Sequence, residues 1–578
     1  MTIQVPNLPL QIGTNYIPSD EELDHIKNSI LPVPTAKLAD LDVEINRIQE
    51  IYSNLMEQRQ ALLAEIEGYQ NLISPARRVP IDVLQEIFLH TLPTGHNALI
   101  DPHECPLLLT RICSGWRRIA LSTPQLWSSI HVPVPPISRG HPRRIRFEDL
   151  TEEFRISSLF ILKKYSASIT NWLGRSGLSS LSISLYDSRR STVPKEHYEI
   201  IIDSLLPFAN RWKDLMLDTR SPFLGPIAEL TESEVPMLES LTLHDIMTRN
   251  DDLNNVWKAS GLVKSHRLKK IDYSEIEGNI MDFLFRWAQL TDIKLSSQAP
   301  SGWGDPIANA TLSDLVTILS LAPRLTNCHF EIKLATNTGL TPPFSVSSLL
   351  LPNLQKLVFH DGGTNCAPLF ELLKVPSLFH LEFFPTNQSS DTVLSTFLPQ
   401  LAPTILSLTT SYSFFVGSNH YPVLSQCQKL TSITITSHVS WPNTWFPPLD
   451  FIKDIFLDNF TLPVGHSDRP APALEVFECQ IGGDFSDGAV LRFIKAKQSR
   501  PDIANLKRIC INFTRPKEID LSLDEEVAQY VADGLDVDLR YPVELNPKVP
   551  FAFRADAGVL PPNIQFGWQD THPSDWVW

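Results

Sequence analysis

A short apolar pattern recurs through most of this 578-residue chain and limits its fold more than any other feature. The unit reads Leu-x-x-hydrophobic-x-hydrophobic, and its last two apolar side chains fall on one face of a short strand. Five copies follow a proline in the same phase, starting at Pro236, Pro323, Pro352, Pro376 and Pro472. A proline at strand entry removes no donor that the strand ladder needs. The pattern therefore predicts a series of short strands with one buried face.

The spacing of the copies predicts what lies between the strands. Copies without the proline start at Leu178, Trp212, Leu268, Leu290, Leu430, Ile452 and Leu506, with a weaker one near Ile405. The starts lie about 27 residues apart on average, which resembles leucine-rich repeats, in which strand-plus-helix units stack into a curved solenoid. Asparagine does not recur after the strand, so we expect irregular repeats and predict no asparagine ladder. An all-β fold is disfavoured, because the spacing leaves too much amphipathic helix between the strands.

A heptad pattern precedes the repeats. From Leu38 to Ile73, ten of the eleven a and d positions are apolar, and Arg59 occupies the other one. This predicts one long amphipathic or coiled-coil helix over residues 36–74. The pattern leaves open whether the helix dimerises. Apolar residues beside the seam (Ile51, Met56 and Leu63) favour packing on the chain's own core over self-association.

A denser helical signal follows the heptads. The stretch Val79 to Phe88 predicts a short helix with Pro80 in its first turn and Ile81, Leu84, Ile87 and Phe88 on one face. Pro106 opens a second helix that runs on to Ala120, and Pro124 opens a third short one.

These residues resemble the F-box family. The opening motif of that family appears here as Val79 to Phe88, its hydrophobic-Cys-x-x-Trp-Arg motif as Ile112 to Arg117, and its closing Leu-Trp as Leu126-Trp127. Val79 and Asp82 replace the family's usual Leu and Glu. A long heptad helix directly before the box resembles a large set of fungal F-box proteins. The match covers about a tenth of the chain.

The resemblance implies a partner. F-box helices dock onto a small Skp-type adaptor, which links them to a cullin and so to a ubiquitin-conjugating enzyme. The positions that match the family's docking surface are Pro80, Ile81, Leu84, Ile87, Phe88, Leu108, Cys113, Trp116, Arg117, Leu126 and Trp127. The alternative is an ordinary helical subdomain that uses Trp116 and Trp127 as its core.

Repeat proteins usually bind partners along their strands, which predicts a second surface. The outward positions between and after the paired apolar residues include His244, His329, His360, Glu382, Phe384 and Thr434. We expect a target protein to bind there, with pH-sensitive binding as one alternative and a chance distribution of histidines as the other.

Other functions find little support. The net charge of −16 opposes a general role on nucleic acid. No apolar stretch reaches the roughly 18 residues that span a bilayer, so we expect no membrane partner and a cytoplasmic or nuclear location. The cysteines form neither a disulfide framework nor a CxxC metal pattern. The glycine-rich stretches lack the residues of a phosphate or dinucleotide loop, so we predict no catalysis, cofactor or metal.

The predicted fold class is α/β, with a long N-terminal helix and a three-helix F-box before an irregular leucine-rich-repeat solenoid with a parallel strand face. The predicted segments are a disordered arm (1–35), the heptad helix (36–74), the F-box (75–131), a linker (132–150), the repeats (151–515) and an acidic, aromatic C-terminal cap or tail (516–578). The predicted function is substrate recognition in a Skp–cullin–F-box ubiquitin ligase. The alternative is a non-degradative scaffold that binds a partner protein without a ligase role.

Overall fold

The computed structural model describes most of the chain between residues 13 and 541. The described residues are 13–73, 75–135, 152–187, 195–219, 224–244, 256–274, 280–296, 312–331, 347–360, 366–384, 388–411, 414–415, 420–436, 454–462, 469–483, 485–513 and 515–541. The chain is α/β and divides into two compact units, Met1–Leu84 and Gln85–Trp578. None of the helices in the described ranges has both the length and the apolarity needed to cross a membrane.

The first unit is helical. Helix α1 (Asp20–His25) starts with a capping box, in which Ser19 and Glu22 each accept a hydrogen bond from the other's backbone N–H. A five-residue π-helical stretch follows, and helix α2 (Pro32–Ile73) then runs for 42 residues. The heptad helix is therefore confirmed. The prediction that residues 1–35 are disordered is wrong for residues 20–35, because the capping box gives this segment a helix start.

Helix α3 (Ile81–His90) contains the boundary between the units, and the second unit continues with short helices. The second helix of the predicted F-box is split into α4 (Leu109–Ile112) and α5 (Ser114–Leu121). The cause is Cys113, whose backbone is extended (φ −156°, ψ 167°) and whose Sγ accepts a hydrogen bond from the N–H of Trp116, which caps α5. A 3-10 turn (Pro124–Trp127) stands where the third helix was predicted.

Among the described residues of the second unit, one open parallel sheet of fourteen strands is the largest feature. Its strands, in spatial order, are β1 (Ser129–Pro133), β2 (Leu181–Tyr186), β3 (Trp212–Asp218), β4 (Ser240–His244), β5 (Lys270–Ser274), β6 (Asp292–Ser296), β7 (Asn327–Glu331), β9 (Lys356–His360), β11 (His380–Phe384), β12 (Ser407–Ser411), β13 (Ser432–Thr436), β14 (Val476–Gly483), β15 (Arg508–Phe513) and β16 (Asp536–Arg540). The order follows the sequence, and β8 (Leu349–Leu350) and β10 (Leu373–Lys374) pair with each other in a separate two-stranded sheet.

Helices and turns connect the strands. The remaining helices are α6 (Glu152–Arg175), α7 (Lys195–Leu205), α8 (Gly225–Ala228), α9 (Gly261–Lys264), α10 (Leu312–Leu321), α11 (Ala367–Leu372), α12 (Gln388–Leu401), α13 (His420–Gln426), α14 (Asp454–Asn459), α15 (Asp487–Ser499) and α16 (Glu525–Ala532). Further 3-10 turns lie at Pro75–Arg78, Leu206–Arg211, Ile280–Asp282, Trp287–Gln289 and Leu521–Leu523.

The prolines of the pattern occupy a turn that ends just before the strand. In the copy at Pro236, the N–H of Leu238 donates to the carbonyl of Val235 at 3.3 Å, so proline is the second residue of a four-residue turn. Proline suits that position because its ring already fixes the required φ. The turn drives the leucine into the core, where Leu238 is fully buried, and the turns at Pro323, Pro352, Pro376 and Pro472 repeat this arrangement.

A backbone ladder runs through the residues immediately before the strands. The N–H of Glu239 donates to the carbonyl of Lys213 at 2.8 Å, and the N–H of Lys269 donates to that of Glu239 at 2.8 Å. The same bond recurs from strand to strand as far as Lys507, which donates to Glu475. Each repeat therefore satisfies the backbone of its neighbour without a recurring asparagine side chain.

The core lies where alternate strand residues meet the helices. In β4, Leu241 and Leu243 are buried while the residues between and around them are half-buried. In the middle of the sheet, Phe359 and Phe383 stack at 6.1 Å, and Phe370 of α11 meets both rings edge-on. Burying a side chain of this kind contributes about 1.5–3 kcal/mol.

The strand predictions are confirmed for twelve of the thirteen pattern starts, including the three segments 238–243, 354–359 and 378–383, which share one sheet. The strand predicted from the copy at Ile452 is wrong, because helix α14 occupies the positions expected for that strand. The sheet also extends beyond the predicted limits of 151 and 515. Strand β1 begins in the predicted F-box and enters the predicted linker, and β16 lies in the predicted cap. The predicted aromatic tail beyond Tyr541 lies outside the described residues.

A buried carboxylate holds the C-terminal end of the sheet together. Asp487, the fully buried first residue of α15, accepts hydrogen bonds from Arg515 Nη2 (2.7 Å) and the Tyr541 hydroxyl (2.9 Å). The backbone N–H groups of Glu518 and Ile519 donate to its other oxygen at 2.8 Å. Burial alone would raise the pKa of Asp487, but these donors lower it to about 2. One ionised side chain thus ties residues 515–541 to the preceding repeat.

Replacing this carboxylate should loosen that segment. In Asp487→Asn, the amide lacks the charge that Arg515 requires, and we expect the backbone amides of Glu518 and Ile519 to exchange about 10- to 100-fold faster, as for the loss of a charged hydrogen bond. Hydrogen exchange read by mass spectrometry on peptides from 515–541 measures this. Asp458→Asn, at an exposed carboxylate, is the control. Unchanged exchange in Asp487→Asn would contradict the role given to this residue.

The same carboxylate sets a pH dependence. Its folded pKa lies below the unfolded value of about 3.9, so its stabilisation is complete above that value and is lost as the pH falls from about 4 towards 2. In the wild type, we expect protection of these amides to fall over that range, whereas in Asp487→Asn it should be low throughout.

Candidate protein-binding surfaces

The first candidate surface lies on residues 85–127, which we call the helical module. Its interior is full: Phe88, Leu126 and Trp127 are completely buried. The ring of Phe88 lies 4.9 Å from that of Trp116, and the indole N–H of Trp127 donates to the carbonyl of Ala120 at 2.9 Å. These contacts lock α3, α5 and the 3-10 turn into one small core.

The module is joined to the sheet through the same tryptophan. Trp172 of α6 meets Trp127 edge-on at 4.9 Å, and the Arg175 guanidinium lies 4.6 Å above the Trp127 ring. The indole N–H of Trp172 donates to the carbonyl of Ser129 in β1. Trp127 therefore has a structural role, and a change there would disturb both the module and the sheet.

Several large apolar side chains of the module remain at its surface. Ile87 is 46% exposed, Leu108 39%, Ile112 52% and Leu121 41%. They lie beside a small core that already contains large side chains, so this core has no room for them. Exposed apolar groups grouped in sequence on a rigid base suit protein binding.

The predicted adaptor-binding residues separate into two groups. Those that the structure leaves exposed are Pro80, Ile81, Ile87, Leu108, Cys113 and Arg117, whereas Leu84, Phe88, Leu126 and Trp127 are buried and Trp116 is half-buried. Pro80, Ile81 and Leu84 belong to the first compact unit. Of the four residues predicted to share one face of α3, Leu84 and Phe88 are buried, whereas Ile81 and Ile87 are exposed. Arg117 Nε donates to the carbonyl of Thr110 at 2.6 Å, so this arginine also joins α5 to α4.

Two exposed residues of the module, Ile112 and Leu121, were not among the predicted site residues. The sequence places Ile112 inside a matched motif and Leu121 at the end of the same amphipathic stretch. Only the break at Cys113 turns Ile112 away from the core.

The second candidate surface is the face of the sheet opposite the buried leucines, which we call the outward face. Strand pairing places one residue of each strand in a continuous row, which runs His131, Ser184, Met216, Thr242, Asp272, Lys294, His329, Val358, Glu382, Thr409, Thr434, Glu478, Cys510 and Asp538. The row is largely polar, as expected for residues that alternate with the core. Three of the predicted outward positions (His329, Glu382 and Thr434) lie in this row and are half-buried, and so is His244 in the neighbouring row.

His244 lies between two carboxylates from adjacent strands. Its Nδ1 is 3.6 Å from Asp218 and its Nε2 is 3.2 Å from Asp272, which also pairs with Lys294 at 2.9 Å. Burial alone would lower the pKa of His244, but the two carboxylates raise it to about 9. The histidine is therefore protonated at neutral pH and holds three strands together.

Glu382 forms a similar cluster further along the outward face. Its Oε1 accepts from Lys356 Nζ at 2.7 Å and lies 2.9 Å from His380 Nε2. Burial alone would raise its pKa, but the two basic partners lower it to about 2. Glu382 is thus ion-paired with neighbours on the sheet, so it is less available to bind a partner protein.

An aromatic row crosses strands β7, β9 and β11 on the outward face, the last two of which also contain the Glu382 cluster. The rings of His329 and His360 stack at 5.6 Å, and that of Phe384 stacks on His360 at 4.3 Å. His360 and Phe384 are only 9% and 5% exposed. The prediction that these two side chains are open to a target is therefore wrong, since neighbouring rings in this row cover one another.

The same row contains a group of potential metal ligands. His329, Glu331 and His360 offer three ligand atoms that lie within 4.8 Å of one another. The two imidazole planes are inclined by only 17°. Because the lone pair of an imidazole nitrogen lies in the ring plane, the lone pairs of these stacked rings lie in separate, nearly parallel planes. This stacking is unlike the geometry of a tetrahedral metal centre, in which the ligand planes meet at the ion.

An uncharged patch occupies the outward face on strands β12 and β13, which we call the hydroxyl block. Pairing of these two strands sets six hydroxyl side chains opposite one another: Ser407 with Ser432, Thr409 with Thr434, and Ser411 with Thr436. Five of the six are half-buried and Ser411 is buried. The block separates Glu382 on one side from Glu478 on the other. Of the predicted target-binding residues, Thr434 is the one within it.

The comparisons with known proteins add no relative. No family model matches the chain, and no curated protein matches it.

The His244 cluster generates a pH-dependent prediction. The folded pKa is above the unfolded value of about 6.5, so the stabilisation is complete below pH 6.5 and is lost as the pH rises through about 9. Replacing His244 with Gln should therefore lower the melting temperature clearly at pH 6, and the difference from the wild type should shrink by pH 10. Thermal melts at the two pH values, with His266→Gln at an exposed histidine as the control, measure the effect. A difference that does not vary with pH would contradict the charged state assigned to His244.

Proposed function

We propose that this chain is the substrate receptor of a Skp–cullin–F-box ubiquitin ligase and has no catalytic role of its own. The helical module docks the Skp-type adaptor, and the outward face binds the target protein. The observation that carries the proposal is the exposed group Ile87, Leu108, Ile112 and Leu121, which lies beside a core that already buries Phe88 and Trp127.

The position of this group supports adaptor docking. Ile87, Leu108 and Ile112 lie inside or directly beside the stretches that resemble the F-box family. Aliphatic side chains on a rigid helical base lose little entropy on binding, so they serve well as anchors. The inward-facing matches, Phe88 and Trp127, would then act as positioning residues that keep the exposed group in place.

The sheet supports the second half of the proposal. Its parallel strands follow in sequence order, each joined to the next by a turn or helix, as in an irregular leucine-rich-repeat solenoid. In such a solenoid the outward face presents one residue of every repeat to a long partner. The hydroxyl block is a part of the described outward face that contains no charged side chain, so a partner could bind it without breaking an ion pair.

Adaptor capture tests the proposal directly. We expect Ile87→Ala combined with Leu108→Ala to weaken binding of purified adaptor by about tenfold or more, because truncated anchors commonly cost 1–2 kcal/mol each. Ile455→Ala combined with Leu523→Ala removes two aliphatic side chains elsewhere that are even more exposed, and should have no effect. Biolayer interferometry with immobilised adaptor gives the affinities, and circular dichroism checks the fold.

The same assay separates the proposal from its alternative. If the wild-type chain fails to hold the adaptor at micromolar concentration, the ligase role falls and a scaffold role replaces it. Cullin that co-purifies with the wild type and disappears with the double variant would support the complete assembly.

Target binding is tested on the hydroxyl block. Thr409→Arg with Thr434→Arg places two long cations where the block is uncharged, and we expect recovery of target proteins from the native cell to fall at least tenfold while adaptor recovery is unchanged. Ser313→Arg with Ser320→Arg, on exposed positions of α10, is the matched control. Quantitative mass spectrometry of the purified complexes reads the result. Equal losses in both variants would show that the outward face is not the target surface.

A further inference from the structure

Helix α2 is exposed along its whole length. Each of its side chains whose burial the structure describes is exposed, including the apolar a and d residues from Leu38 to Ile73. Helices of this length in water normally bury an apolar stripe, because packing of that stripe supplies most of their stability. A five-heptad apolar seam without cover therefore requires a partner.

The residues beside the seam are exposed as well. Ile51, Met56 and Leu63 lie at g and e positions and are 49%, 42% and 47% exposed. In the sequence they favoured packing on the chain's own core, but the structure leaves them open. In a parallel two-stranded coiled coil, a g residue faces the e residue five positions later in the second helix, so Ile51 would face Met56. The apolar bulk is thus where a second copy of the helix would cover it.

The charges at the edges of the seam fit the same partner. Parallel pairing sets Lys37 opposite Asp42, which attract. The other pairs each contain at least one uncharged residue: Glu44 with Gln49, Gln58 with Leu63, and Glu65 with Gln70. No g–e pair in this register brings like charges together, so the edges of the seam do not oppose pairing with a second copy.

The residue types in the seam are also those typical of a two-stranded coiled coil. Isoleucine occupies three of the six a positions (Ile45, Ile66 and Ile73), and leucine occupies three of the five d positions (Leu41, Leu55 and Leu62). β-Branched residues at a with leucine at d favour dimers. Arg59, the single charged a residue, permits only the register that brings the two arginines level, where their long side chains reach water.

We propose that α2 forms a parallel, in-register coiled coil with α2 of a second copy of this chain. The dimer goes beyond the proposed function and does not depend on it, since adaptor binding concerns different residues. A dimeric chain would carry two helical modules and two outward faces.

Mass and cross-linking test the dimer on the full-length chain. Sedimentation equilibrium over about 1–20 μM, a range that reveals any dependence of the mass on concentration, should give twice the chain mass of 65.2 kDa. Leu55→Asp with Leu62→Asp should return the mass to that of one chain. Gln60→Asp with Ala64→Asp adds the same charges on the opposite side of the helix and should leave the dimer intact.

Orientation is tested by disulfide formation in a Cys113→Ser background, because Cys113 is the exposed cysteine among the seven. Leu41→Cys should cross-link two copies rapidly, since equivalent d residues meet in a parallel coiled coil. Val43→Cys, at an outer position of the same turn, should cross-link at least tenfold more slowly. Equal rates would overturn the parallel register.

Two further outcomes bear on the dimer itself. A wild-type chain that stays at 65.2 kDa throughout the range overturns the proposal, as does a dimer that survives Leu55→Asp with Leu62→Asp. If that variant misfolds, Arg59→Ile provides an independent reading. Removing the charged a residue should tighten the dimer at least tenfold if α2 is the interface, and an unchanged dissociation constant would place the contact elsewhere.

Discussion

Most of the second unit depends on one constraint: from β4 to β15, neighbouring strands of the large sheet share a backbone ladder, and a leucine or isoleucine just before each strand is buried. The bond from Glu239 to Lys213 and its equivalents fix the residue before each of these strands, and the turn that ends at Leu238 directs the leucine inward. Because the ladder consists of backbone groups, it tolerates any side chain at its own positions, and only the apolar positions must recur. This explains why intervals of unequal length between copies still build one sheet of fourteen strands.

The same constraint makes the outward face variable. Alternate strand residues point away from the core, so they are free to differ from one strand to the next, and neighbouring strands bring them into contact. Three kinds of surface result: charged clusters centred on His244 and Glu382, an aromatic row at His329, His360 and Phe384, and the hydroxyl block. The first two satisfy their own side chains. The hydroxyl block has no charge to satisfy, which is why target binding is proposed there.

The helical module and α2 share a different property, a surplus of exposed apolar side chains. In the module the surplus exists because Phe88, Leu126 and Trp127 fill the small core. In α2 the surplus is continuous and periodic. The two surfaces suit different partners: a short, irregular group of side chains suits a groove on another protein, whereas a regular seam suits an identical helix.

The sequence by itself determined where most strands lie, because an apolar pair two residues apart after a buried leucine is a local signal that each repeat carries. It determined the long helix for the same reason, since heptads need no knowledge of the rest of the chain. It did not determine the state of 452–457, because a few alternating apolar residues fit a strand or a short helix, and α14 formed there. Nor did it locate β1 and β16. These two strands lack the leading leucine, and they form by pairing with the exposed edge of a neighbouring strand. The burial of His360 and Phe384 and the charge of His244 were decided by the tertiary structure, since their partners are distant in sequence and become neighbours only when the strands align.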